Sequence, residues 1–155
     1  MKGIKAIDEL RKAHLQYLRS KSTMPDEELV SLAKNRKWTD KTANGLIAMI
    51  ESYITFIGGF ASRTQSQGQF RKDRFSGKGL FTKSTTKKGL ADITGVLCSK
   101  PLSIEVKVGK DKQSEHQKKV EKQVTSAGGY YYIAKDFQST YDWMQGDILN
   151  QKRTA

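Results

Sequence analysis

The chain has 155 residues, the size of one ordinary domain, and 28% of them are charged. Twenty-eight Lys and Arg against sixteen Asp and Glu give +12 at pH 7. That balance points to a polyanionic partner, nucleic acid first and an anionic membrane surface second. One cysteine, Cys98, excludes an internal disulfide framework. No stretch approaches the roughly eighteen apolar residues of a membrane span, and the N-terminus lacks an apolar signal segment, so a cytoplasmic, reduced setting is expected.

Residues 4–20 read as a helix, because Ile7, Leu10, His14, Tyr17 and Leu18 recur at helical spacing. His14 on that stripe is expected to be a partly buried structural residue. A second helix is expected over 25–36, with Pro25 at its first position and Asp26, Glu27 and Glu28 at the positive end of its dipole. A third is expected over 41–57, capped by Thr39 or Asp40 and ended by Gly58 and Gly59. Leu46, Ile47, Ile50, Tyr53, Ile54 and Ile57 form its apolar stripe. Glu51 lies at the border of the stripe, about 95° from its centre.

Two short strands are expected within 60–75, FASRTQS and GQFRKDRF, followed by a loop over 76–89. Residues 63–88 carry eight Lys or Arg against one Asp. This is the densest basic segment, and Arg63, Arg71, Arg74, Lys87 and Lys88 are its best candidates for phosphate contacts. Strands are expected over 91–97 and 102–108, with Pro101 in the turn between them and Cys98 a small core residue. A helix over 114–127, closed by Gly128 and Gly129, leads to a strand over 130–134. The Tyr130–Tyr132 run reads first as strand packing, with Tyr131 on the opposite side, and base stacking is its other possible use. A last helix over 138–149 precedes a frayed tail at 151–155. The order predicts an α/β fold with a mixed central sheet flanked by helices.

Glu105 and Lys107 stand two apart on a strand and share one face, while Ile104, Val106 and Val108 take the other. Asp92 opens the neighbouring strand, and tight antiparallel pairing would set it beside Glu105. Two converging carboxylates suit a hard cation such as Mg²⁺, with the Val106 carbonyl as a further ligand. Such an ion polarises a phosphodiester and acidifies a bound water, and Lys107 can steady the water or the phosphoryl charge. The same spacing also arises from cross-strand ion pairs on a solvent face. With two histidines and one cysteine, the composition argues against a zinc site.

The stretch 87–134 resembles the virus-type replication-repair nuclease (VRR-NUC) domain of the PD-(D/E)xK nuclease superfamily. The residues carrying the resemblance are KKGLADITGV, LSIEVKVGKD, QSEHQKKVEKQV and SAGGYYYIA. Gly89 precedes Asp92, Ile104–Lys107 match the Ile-Glu-Val-Lys core, Ser114 and Gln117 open the next helix, and Gly128–Gly129 lead into the last strand. Glu51, Arg63 and Gly68 extend the pattern upstream, so that it covers about 44–145. Ala91 stands where the superfamily name implies Pro.

The resemblance implies a restriction-endonuclease-like fold over 41–150 with a helical extension over 1–40. It implies Asp92 and Glu105 as metal ligands, Lys107 as the catalytic lysine and Gln117 as a glutamine reaching back to the site. It implies Glu51 as a helix-borne acid that assists metal or water. Ser114-x-x-Gln117 is equally a capping box, and Glu51 is equally a solvated helix residue. The activity implied is Mg²⁺-dependent DNA cleavage, with Mn²⁺ as a substitute, by a homodimer acting on branched DNA such as Holliday junctions. The setting would be recombination or repair in a phage or mobile element. The alternative is a DNA-binding module that keeps the fold without the chemistry.

Overall fold

The computed structural model describes residues 5–64, 69–72, 74–82 and 87–150. Helix α1 (Ala6–Lys21) packs against α2 (Asp26–Asn35) and α3 (Ala43–Phe56). Each lies within two residues of its expected bounds. Ala6, Leu10 and Ala13 of α1 are buried in the same core as Leu46, Ile50 and Ile54 of α3. The helical extension is thus tied into the core of the rest of the chain. His14 is buried, and its ring stacks on Phe56 at 4.8 Å between centroids.

The cap of α3 corrects the expectation. Thr42, not Thr39 or Asp40, accepts the amide of Gly45. Asp40 instead accepts the amide of Phe137, across 97 residues of chain. The C-terminus of α3 closes as expected, with Gly58 at φ +87° and the Gly59 amide bonded to Ile54 O at 2.8 Å.

Among the described residues, six strands follow in two sheets. β1 (Phe60–Arg63), β4 (Ile93–Leu97), β5 (Lys100–Val106) and β6 (Tyr130–Ala134) form one sheet in the order β1-β4-β5-β6. β1–β4 and β4–β5 pair antiparallel and β5–β6 parallel, so the sheet is mixed. β2 (Gln69–Lys72) and β3 (Gly79–Thr82) form a separate two-stranded hairpin. β3 falls in a segment expected to be loop. The strand is only four residues, and the Gly, Ser, Thr and Lys around it masked its Leu-Phe-Thr core. The remainder of the first expected strand and Gly68 lie outside the described residues, as do the Arg71 side chain and the tail.

The turn between β4 and β5 is also corrected. Pro101 sits inside β5, paired with Val96, and the turn is Cys98–Ser99. Both turn residues have positive φ, +54° and +63°, as a tight two-residue hairpin turn requires. Cys98 is therefore a half-buried turn residue at the margin of the core.

Helix α4 (Glu115–Ser126) crosses from β5 back to the parallel β6. Helix α5 (Phe137–Trp143) is capped by Asp136 and runs on as a π-helical segment, Met144–Leu149. Ile93, Leu97, Leu102, Ile104, Val106 and Ala134 face a core shared with α1, α3 and α5. Each large aliphatic side chain there stabilises the fold by roughly 1.5–3 kcal/mol. The alternate residues of the same strands face the other way, and α4 packs beside β6. The described chain is a mixed α/β fold, and no described helix is long and apolar enough to cross a membrane.

Candidate active site

The two-residue hairpin sets the register that builds the site. Thr94 pairs with Ser103 and Ile93 with Ile104. One step further, the ladder sets Asp92 opposite Glu105, as the antiparallel reading expects. There the Asp92 side chain takes the place of a backbone acceptor: its Oδ2 accepts the Val106 amide at 2.9 Å. Val106 thereby fixes the first carboxylate, while its side chain is buried in the core.

Glu105 is 1% exposed. Its Oε1 takes the Lys107 ammonium at 2.9 Å and also the side-chain amide of Gln117. Lys107 is nearly buried and reaches Asp111 Oδ2 at 3.4 Å as well. Glu105 Oε2 is buried with no hydrogen-bond partner. Burial pushes the Glu105 carboxyl upward and the facing Asp92 charge adds to this, while Lys107 and the Asp92 backbone amide oppose it. Burial also lowers Lys107, but its bond to Glu105 and the charges of Glu105 and Asp111 outweigh this and leave it raised. Two facing carboxylates and a buried oxygen without a donor are an electrostatic deficit of the kind that a bound cation fills.

Gln117 makes both contacts expected of it. Its backbone amide donates to Ser114 Oγ and its side-chain oxygen accepts the Ser114 amide, a complete capping box. Its side-chain NH₂ is then the group that meets Glu105. Gly89 seats the loop before Asp92 against this helix end. At φ +83° a Cβ there would lie 2.6 Å from the His116 carbonyl, a clash that only glycine avoids.

Glu51 is half-buried on α3. Among the described residues no group of three or more His, Cys, Asp or Glu side chains could hold a metal ion. The structure thus brings Asp92, Glu105, Val106, Lys107 and Gln117 together and does not join Glu51 to them. Arg63, Arg74, Lys87 and Lys88 are exposed, and Lys87 Nζ bonds Gln123 Oε1 of α4 at 2.9 Å. Lys118, Lys119 and Lys122 are exposed on the same helix, which adds basic positions that the charge pattern of the sequence did not single out.

Of two further residues, Thr64 carries no signal in the sequence, and Tyr131 carries only the alternation that sets it opposite Tyr130 and Tyr132. The Thr64 amide donates to the Asp92 carbonyl at 2.7 Å, and Thr64 Oγ1 is buried without a partner. The Tyr131 hydroxyl is also buried and unpartnered. Tyr131 pairs with Ser103, so it lies on the Glu105 face. Its pKa is pushed up to about 12 by burial and by the nearby Glu105 charge. Among the described residues, Thr64, Glu105 and Tyr131 thus hold three of the five buried side-chain polar atoms without partners, and strand alternation sets all three on one sheet face. Comparison with known proteins adds nothing: no protein-family model and no curated protein matches this chain.

Proposed function

We propose that the chain is a metal-dependent nuclease that hydrolyses DNA phosphodiesters on a PD-(D/E)xK, restriction-endonuclease-like fold. The observation that carries this reading is the Asp92–Glu105 pair on adjacent strands, with Lys107 bonded to Glu105 and Glu105 Oε2 buried and unpartnered. Asp92 and Glu105 would hold Mg²⁺, or Mn²⁺ in its place, with the Val106 carbonyl as a further ligand; the ion, when bound, polarises the phosphate and acidifies a water. The chain's own residues prepare for it. The Val106 amide orients Asp92. Lys107 and Gln117 both occupy Oε1 of Glu105, which leaves Oε2 as the ligand atom. Lys107 also carries fixed positive charge to the place where phosphoryl oxygens gain charge.

The VRR-NUC resemblance extends the proposal to a homodimer acting on branched DNA in recombination or repair. The net charge of +12 supports a nucleic-acid partner. Cleavage of single-stranded, duplex, flap and four-way substrates, with Mg²⁺ and with EDTA, tests it. Cutting is expected in Mg²⁺ alone, and Asp92→Ala, Glu105→Ala or Lys107→Ala should each abolish it in a folded protein. Glu51→Gln should lower turnover and spare binding if Glu51 joins the site when metal and substrate bind; unchanged turnover removes it. Full activity in the other three variants would overturn the site. Binding with no cutting of any substrate would leave a DNA-binding module instead.

A further inference from the structure

Strand alternation lays three parallel rows across the face of β1, β4 and β5 that carries Asp92. Glu105, Asp92 and Thr64 form the first. Ser103, Thr94 and Ser62 form the second, from the pairs Thr94↔Ser103 and Ser62↔Thr94. Pro101, Val96 and Phe60 form the third, from the pairs Val96↔Pro101 and Phe60↔Val96. The rows pass from acid to hydroxyl to apolar. The third is open to solvent: Phe60 is 66% exposed, Val96 is 44% exposed, and Pro101 is exposed beside them. An aromatic ring on an edge strand with most of its surface in water is an unusual use of apolar area in so charged a chain.

We infer that the Phe60–Val96–Pro101 row is a stacking subsite for an unpaired nucleotide of the strand cut at Asp92 and Glu105; this rests on the nuclease reading above. Two observations choose this occupant. A base with a free face suits an exposed aromatic ring, whereas a base inside a duplex has both faces covered. Charge complementarity favours a polyanion over a second copy of a chain that carries +12. The reach also fits. Val96 and Asp92 are four strand positions apart, ~13 Å, which is about four nucleotide steps of stacked backbone at ~3.4 Å each. The hydroxyl row between them faces the intervening sugars and phosphates. The subsite would therefore select strands unpaired within four nucleotides of the cut.

The test measures binding in EDTA and cleavage in Mg²⁺ on two oligonucleotide substrates of one sequence. One is a full duplex; the other is unpaired beside the cut, with 2-aminopurine at each of the four positions in turn. Phe60→Ser should weaken binding of the unpaired substrate about 5- to 160-fold, the loss of one stacked base, and leave duplex binding unchanged. Wild-type protein and Phe60→Trp should quench 2-aminopurine at one position, and Phe60→Ser should not. Equal losses on both substrates, or none on either, overturn the subsite while wild-type cleavage leaves the nuclease reading standing. A dimer in sedimentation that Phe60→Ser dissociates would assign the row to self-association. Failure of the wild type to bind or cut either substrate would overturn both readings.

Discussion

The ion pair of Lys107 with Glu105 is where stability and the proposed chemistry meet most directly. Both partners are largely buried, at 11% and 2% side-chain exposure. A buried pair of this kind adds little over an apolar pair, but breaking it from one side is costly. Lys107→Met should destabilise the protein by about 3 kcal/mol, and Lys107→Met with Glu105→Gln should recover most of that loss, as read from urea melts of metal-free protein. An undiminished loss in the double variant would mean that Lys107 acts through packing of its stem. At this scale the sequence was legible where spacing carries geometry. Two-residue alternation fixes Glu105 and Lys107, and one helical turn fixes Ser114 and Gln117. Thr64 and Tyr131 were not legible, since their nearness to Asp92 and Glu105 arises only from the strand pairing. Alternation sets Tyr131 on the face away from Tyr130 and Tyr132, as the pairing shows, but nothing in the run ties it to Glu105.

Among the elements, α4 couples the fold to the site. Its capping box orients Gln117, whose remaining donor holds Glu105. Ser114→Ala removes the hydroxyl that accepts the Gln117 backbone amide and should cost about 1 kcal/mol of stability, while the Ser114 amide still holds the Gln117 side-chain oxygen, so cleavage should continue near the wild-type rate. Ser114→Asp keeps an acceptor at the cap and should restore the stability; slowed cleavage by Ser114→Ala would mean that the cap hydroxyl is also needed to aim Gln117. The long helices were legible because their apolar stripes, charged ends and closing glycines agree. The misread elements were those decided at a distance. Asp40 turns its side chain to Phe137 rather than to α3. Pro101 enters β5 because two non-glycine residues, Cys98 and Ser99, accept positive φ, a conformation that sequence alone seldom signals.

Over the whole molecule the positive charge has a definite geography. Exposed Arg74, Lys87 and Lys88 precede the site in the chain, and Lys118, Lys119 and Lys122 line α4. Replacing Arg71, Arg74, Lys87 and Lys88 by Gln should flatten the dependence of DNA affinity on salt, by about 0.9 in log–log slope for each phosphate no longer neutralised. Fluorescence anisotropy at 50–200 mM salt (roughly the range over which such binding fades) reads this. An unchanged slope would move the interface to the lysines of α4. The composition made such a surface legible, but its place beside Gln117 appears only once Gly89 has seated the preceding loop on the helix.

The Cys98–Ser99 turn also sets what kinds of change a descendant of this chain could survive. Strand parity is binary: one residue gained or lost in that turn exchanges the buried and outward sets of β5 relative to β4, sending Glu105 into the core and Ile104 into water. The connection from Thr64 to Asp92 bears no such arithmetic, because the pairing of β1 with β4 holds its two ends together. Length variation should therefore accumulate in that connection over lineages, while the two-residue turn keeps its count even as its residues drift.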